Sequence, residues 1–103
     1  MARNAIAFEV TDPDSPEMRK PGAYCFMVWN GVRVGIRHSC PCGCGSQSAM
    51  WFTGLADAHG PEWDVTGEWP KVTLSPSIGI GKSLKTGRYH WHGYLENGIW
   101  VER

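Results

Sequence analysis

Three cysteines fall within the stretch His38-Ser39-Cys40-Pro41-Cys42-Gly43-Cys44-Gly45, and two histidines stand close together later, at His90 and His92. Thiolate sulfur and imidazole nitrogen are donors that zinc takes, usually four in a tetrahedron at roughly 2.0–2.3 Å. On a regular strand, sulfurs at i, i+2 and i+4 share a face but lie too far apart to converge. Gly43 and Gly45 permit the positive-φ turns that fold a backbone around an ion, and amides in such a turn can donate to the sulfurs. A free thiol has a pKa of about 8.5, and a bound metal brings it into the thiolate form. His90 and His92, two apart on an expected strand, face one side. The donor pool is therefore Cys40, Cys42, Cys44, His90 and His92, one more than zinc needs. The expected set is Cys42, Cys44 and His92, with Cys40 or His90 as the fourth. His38 is a weaker candidate, and Cys25, inside an apolar run, reads as a buried side chain. Redox chemistry is the competing use for clustered thiols. The histidine pair alone says little, because strand histidines are common; with the cysteines it gains weight.

The elements that must position these donors are short strands and turns. Ala5–Val10 reads as a first strand. Thr11–Gly22 is a polar loop with Pro13, Pro16 and Pro21, and Ser15 followed by Pro16 suits a helical turn over Ser15–Arg19. Tyr24–Trp29, Asn30-Gly31 and Val32–His38 form the clearest hairpin, since Asn-Gly suits the positive φ that a type I′ turn needs twice. In its second arm Val32, Val34, Ile36 and His38 alternate with Arg33, Gly35 and Arg37, giving one apolar and one basic face. Ser48–Thr53 returns from the cysteine turn. Leu55–Asp64 is irregular, and Trp63–Val65 and Lys71–Leu74 are extended. The chain is expected to leave the sheet at Pro76. Gly81–Arg88 is a basic loop, Tyr89–Leu95 a strand, Asn97-Gly98 a second tight turn, and Ile99–Val101 the closing strand. No window shows helical periodicity. The expected fold is mainly β: a small antiparallel sheet or sandwich of hairpins closed around one zinc site, with little or no helix.

The chain has 103 residues, enough for one domain spanning 1–103, with 11–22 as a loop rather than a boundary. A core of that size gains from a metal cross-link. Ten basic and ten acidic residues give a formal net charge of zero, which argues against a general nucleic-acid or membrane binder. Met1-Ala2-Arg3-Asn4 runs straight into a strand-like segment, and no apolar run approaches membrane length. A cytoplasmic protein is expected, in a compartment where thiols stay reduced.

The motifs resemble those of a family of small bacterial and phage proteins with a His-x-Cys-x-Cys-Gly-Cys-Gly signature, matched at His38, Cys40, Cys42, Gly43, Cys44 and Gly45. The same family has a Leu-x-Pro-Ser-Ile-Gly segment, matched at Leu74, Pro76, Ser77, Ile78 and Gly79, and a Cys-x-x-His before an aromatic strand and turn, matched at His92, Tyr94 and Gly98. The likeness spans roughly residues 24–101. One position departs from it: Tyr89 stands where the family has the cysteine, and the neighbouring His90 can replace that donor. The resemblance implies a zinc-binding domain. It also implies an association with ubiquitin-like conjugation systems, or a role as a phage accessory protein.

The sequence reading favours a structural zinc domain that binds another protein and is not an enzyme. Trp51, Trp63, Trp69, Trp91 and Trp100 supply a core and, for some, an interface. A zinc hydrolase is the alternative, with Glu62, Asp64, Glu68 or Glu96 as base and Ser75 and Ser77 orienting a substrate. No carboxylate has a telling spacing, and the serines suit turns equally well. A nucleic-acid-binding zinc module would use Arg33, Arg37, Lys82, Lys85 and Arg88 beside Trp91.

Overall fold

A computed structural model describes residues 3–55 and 60–103. Nine strands follow one another: β1 (Ala5–Ile6), β2 (Phe8–Glu9), β3 (Ala23–Trp29), β4 (Val32–Ser39), β5 (Gln47–Phe52), β6 (Glu62–Thr66), β7 (Thr73–Lys82), β8 (Tyr89–Glu96) and β9 (Ile99–Glu102). One 3-10 turn, Pro16–Arg19, is capped by the Ser15 side chain accepting from the Glu17 amide. The fold is mainly β, as the residue pattern implies, and the strands form one sheet in the order β1-β9-β8-β7-β6-β5-β4-β3-β2. Its edges are consecutive in sequence. Ala7 donates to the Gly98 carbonyl at 2.9 Å and Phe8 to the Gly22 carbonyl at 3.1 Å, so the first strands tie both edges and nearly close the sheet. Most pairs are antiparallel, but β2–β3 and β5–β6 are parallel. Among the described residues no helix is long and apolar enough to cross a membrane.

Both Asn-Gly turns have the required backbone: φ is 51° and 77° at Asn30 and Gly31, and 48° and 79° at Asn97 and Gly98. Besides the two parallel pairs, which the expected antiparallel sheet lacked, the structure differs from expectation in three places. The first strand is split, with Ala7 between its halves. The chain does not leave the sheet at Pro76; β7 continues to Lys82, and an irregularity between Leu74 and Ile78 absorbs the proline. Leu74 pairs with Leu95 and Ile78 with Gly93, so Ser75, Pro76 and Ser77 face a single residue of β8 and the segment bulges. The irregular segment before β6 ends at Glu62, and its residues 56–59 lie outside the described residues.

The interior is filled from all sides by Tyr24, Ile36, Met50, Leu74, Trp91 and Trp100. Trp91 and Trp100 are fully buried, each donating its indole N–H to a carbonyl, of Arg3 and Gly22 respectively. Each such ring removes roughly 150–250 Å² from water, on the order of 4–6 kcal/mol before ordering costs. A second, small core of Val10, Met18, Ala23 and Cys25 lies where the polar loop packs on β3. Cys25 is buried there, as expected.

Candidate metal centre and its neighbouring surface

β4 ends in a tight turn. The Cys40 amide donates to the Ser46 carbonyl at 2.8 Å and the Gly43 amide to the Cys40 carbonyl at 3.1 Å. Gly43 and Gly45 have φ of 89° and 86°, the left-handed backbone that L side chains rarely adopt. This turn brings the three sulfurs together at the end of β4, and His90 reaches them from the start of β8. The donor atoms of Cys40, Cys42, Cys44 and His90 all lie within 4.8 Å of one another. Sγ of Cys40 and Cys42 are 3.3 Å apart, and Nε2 of His90 is 3.0 Å from Cys42 Sγ. All four cysteines are free thiols. Three sulfurs and one imidazole nitrogen at this spacing can hold one metal ion with four protein donors.

Burial pushes the Cys40 thiol up to about 12, so a thiolate there needs a cation against it. Hydrogen bonds from Ser46, first its hydroxyl and then its amide, bring Cys44 down to about 6. In the strand order β4 and β8 are separated by three other strands, so a metal here ties elements that share no backbone ladder.

His92, expected as a donor, lies outside this group. Its Nδ1 is 3.1 Å from the main-chain oxygen of Arg103. That oxygen only accepts, so Nδ1 carries a proton, and in the neutral ring Nε2 is the nitrogen with the free lone pair. The ring stacks on Tyr89 at 5.7 Å and 24°. Tyr89, at the position where the resembled family has a cysteine, also covers Gly79, where an added Cβ would meet its ring at 2.4 Å. His38, the weaker candidate, is fully buried and stacks on Trp100 at 4.9 Å. Neither of its ring nitrogens has a hydrogen-bond partner, and burial holds its pKa down at about 4.

Outside the metal group, β7 and β8 present a polar surface. Leu74, Ile78 and Ile80 point inward, so Ser77 and Gly79 lie on the outer face; His90, His92, Tyr94 and Glu96 alternate outward on β8. Gly79 pairs with His92, which puts Ser77 one diagonal step from His92, roughly 7–8 Å between backbones. The Ser77 carbonyl accepts from Trp63 Nε1 at 3.3 Å, fixing the bulged backbone. The sequence reading named Ser77 as a residue that could orient a substrate and His92 as a metal donor, and did not link the two. Both residues were visible in it, but no fixed spacing links them.

The proposed carboxylate bases are dispersed. Glu96 is paired with Arg103 at 2.9 Å, Glu62 accepts from the Gly54 amide at 3.1 Å, and Asp64 and Glu68 are exposed. Of the aromatic set, Trp91 and Trp100 are core, Trp63 and Trp69 are half-buried, and Trp51 is exposed. The cations Lys82, Lys85 and Arg88 lie in or beside the exposed loop after β7.

Comparison with curated proteins and with solved structures gives no match. Comparison with protein families matches residues 11–102 to the family described as bacterial ubiquitination-like system serine protease, BubE. The matched span holds the cysteine turn, the β7 bulge, and both His90 and His92. The description agrees with the link to ubiquitin-like conjugation that the motifs implied, and it adds a protease activity that the sequence reading did not favour. With nearly its whole length matched, the chain belongs to the BubE family of bacterial ubiquitination-like systems.

Proposed function

We propose that this chain is a serine peptidase of a bacterial ubiquitination-like system, in which Ser77 is the nucleophile, His92 its base, and a zinc ion on Cys40, Cys42, Cys44 and His90 holds the fold. The observation that carries the reading is the fixed tautomer of His92 on the sheet face that also bears Ser77. The family description supplies the reaction class. The donor set supports zinc in a structural role, since four protein donors fill a tetrahedron and leave no position for water.

In this reading the Ser77 hydroxyl gives its proton to His92 Nε2 as Oγ attacks the scissile carbonyl carbon. The resulting imidazolium returns the proton to the leaving amine, and the acyl group stays on Oγ as an ester. Water, deprotonated by the same nitrogen, then releases the acid and restores the serine. The main-chain oxygen of Arg103 does the orienting work that an aspartate does in other serine peptidases. Arg103 is itself held by two hydrogen bonds to Glu96, at 3.2 and 2.9 Å. The partner is a polypeptide, and the site of action is the bacterial cytoplasm, which keeps the thiols reduced.

A second reading keeps the metal and omits the chemistry: a binding domain that grips a protein through the tip of the β3–β4 hairpin. The exposure of Val28, Trp29 and Val32 there favours it. Cleavage of a ubiquitin-like protein fused through its C-terminus to a reporter decides between the two. The metal-loaded protein is expected to cut, Ser77→Ala to lose roughly a thousandfold or more, and Ser75→Ala to stay within a few-fold. Exchange of zinc for cobalt is expected to leave the rate within a few-fold, because the metal does not touch the substrate. Absence of cutting by the zinc-loaded protein, or undiminished cutting by Ser77→Ala, overturns the serine peptidase. A large rate change with cobalt overturns the structural role of the metal.

A further inference from the structure

The hydrogen bonds at His90 reach past the metal donors. Arg3 Nη2 donates to the His90 carbonyl at 2.7 Å. The same guanidinium grips Glu102, with Nε 3.0 Å from Oε2, while the Arg3 amide donates to Oε1 at 2.7 Å. The Arg3 carbonyl in turn accepts from the indole of Trp91, the fully buried neighbour of His90, at 2.9 Å. Arg3 is thus fixed through its amide, its carbonyl and its side chain, against the residue that delivers the only nitrogen donor to the metal group among the described residues.

Charge adds a second reason. A divalent ion with three thiolates and a neutral imidazole carries one net negative charge. The Arg3 guanidinium is bound both to the Glu102 carboxylate and to the His90 carbonyl, so its positive charge stands next to the residue that joins the thiolates. Glu102 cancels part of the positive charge, but it also aims the fork, so one N–H of Nη2 remains directed at His90. An exposed Arg–Glu pair by itself contributes little to stability. The bond to the His90 backbone is what makes this pair part of the metal centre.

We propose that Arg3 is a positioning residue of the metal centre: oriented by Glu102, it clamps the His90 backbone in its coordinating pose and sets positive charge beside the thiolates, which slows loss of the metal. The inference rests on the reading of Cys40, Cys42, Cys44 and His90 as a metal site. Outer partners of this kind typically change metal affinity by about 10–100-fold. A lysine cannot replace the arginine, because a single ammonium lacks the fork that spans Glu102 and the His90 carbonyl.

The test uses the full chain with Arg3→Gln, Arg3→Lys and Glu102→Gln. Three quantities are read: the rate at which zinc passes to an excess of a coloured chelator, the visible spectrum of the cobalt-loaded protein, and the melting temperature of each metal-saturated variant. Arg3→Gln is expected to release zinc about 10–100-fold faster and to shift the cobalt bands, with Arg3→Lys and Glu102→Gln between it and the wild type. A purely structural tie would lower the melting temperature and leave the cobalt spectrum in place. Zinc release at the wild-type rate, or an unchanged cobalt spectrum, overturns the role of Arg3 alone. A wild-type protein that takes up no metal overturns the metal reading itself, and the inference with it.

Discussion

A thiolate as buried as Cys40 costs free energy unless a cation sits against it, because desolvation favours the neutral thiol. With zinc present the penalty becomes binding energy, and Cys40 is the donor whose loss leaves the deepest gap. Cys40→Ser is expected to abolish stoichiometric zinc binding and lower the melting temperature by roughly 10 °C or more, read by metal analysis and circular dichroism. Retained zinc and an unchanged melt would show that Cys40 is only a core side chain. His38 offers a pH-dependent counterpart. Its pKa in the fold is about 4, because burial disfavours the cation, whereas an unfolded imidazole titrates near 6.5. Between those values the unfolded chain binds more protons, so His38 makes stability fall as pH drops from about 6.5 toward 4. His38→Phe, which keeps the stack on Trp100, is expected to remove this slope: the stability of the wild type relative to the variant should drop by about 2 kcal/mol between pH 7 and 5 in urea titrations. Parallel pH profiles would contradict it. At this scale the sequence names all four residues of the candidate metal group, since sulfur and imidazole are recognisable by type. It does not say which histidine is used. His90 and His92 share a face and a spacing, and the choice depends on where the start of β8 meets the end of β4.

At the scale of elements, the β7–β8 pair carries Ser77 and His92, the proposed nucleophile and base, and His90 of the candidate metal group. Two glycines in it test what the pair tolerates. At Gly93 an added Cβ would meet the Val101 carbonyl oxygen at 2.0 Å and the Glu102 Cα at 2.9 Å, both backbone atoms of β9 that cannot move alone. At Gly79 it would meet only the Tyr89 ring, which can rotate away. Gly93→Ala is therefore expected to cost about 3 kcal/mol or more, and Gly79→Ala below about 1 kcal/mol, in urea unfolding. Moving Tyr89 would also take its ring off His92, so Gly79→Ala should lower peptide cleavage while leaving the melt nearly unchanged. Equal stability losses would show that β8 and β9 are not packed this closely. Both Asn-Gly turns and the strands they join were legible, because the dipeptide dictates a backbone that few other residues accept. The path through Pro76 was not. A proline normally ends a ladder, and only the β8 register shows that a bulge lets β7 run on. The placement of Ser77 one diagonal step from His92 depends on that same register, so the sequence, which singled out each residue separately, did not link them.

For the whole molecule, a metal held by Cys40, Cys42, Cys44 and His90 would link two strands that are not neighbours in a nearly closed sheet. Removing the metal should therefore loosen the whole sheet. Chelation is expected to abolish a cooperative melt, while the same treatment of a metal-free control with Cys42→Ser should have no further effect. The mainly β class and single-domain size follow from the turn-rich composition and the lack of helical periodicity. Near-closure does not, because it depends on two strand halves around Ala7 reaching opposite edges. The most direct test of the account is to treat the zinc-loaded protein with a fluorophosphonate, which phosphonylates activated serines with loss of fluoride, and to map the adduct by peptide mass spectrometry. A single adduct on Ser77, absent in His92→Ala, with zinc still bound, is the predicted result. An adduct on another serine, or none on the folded, zinc-loaded protein, would contradict the proposed peptidase site.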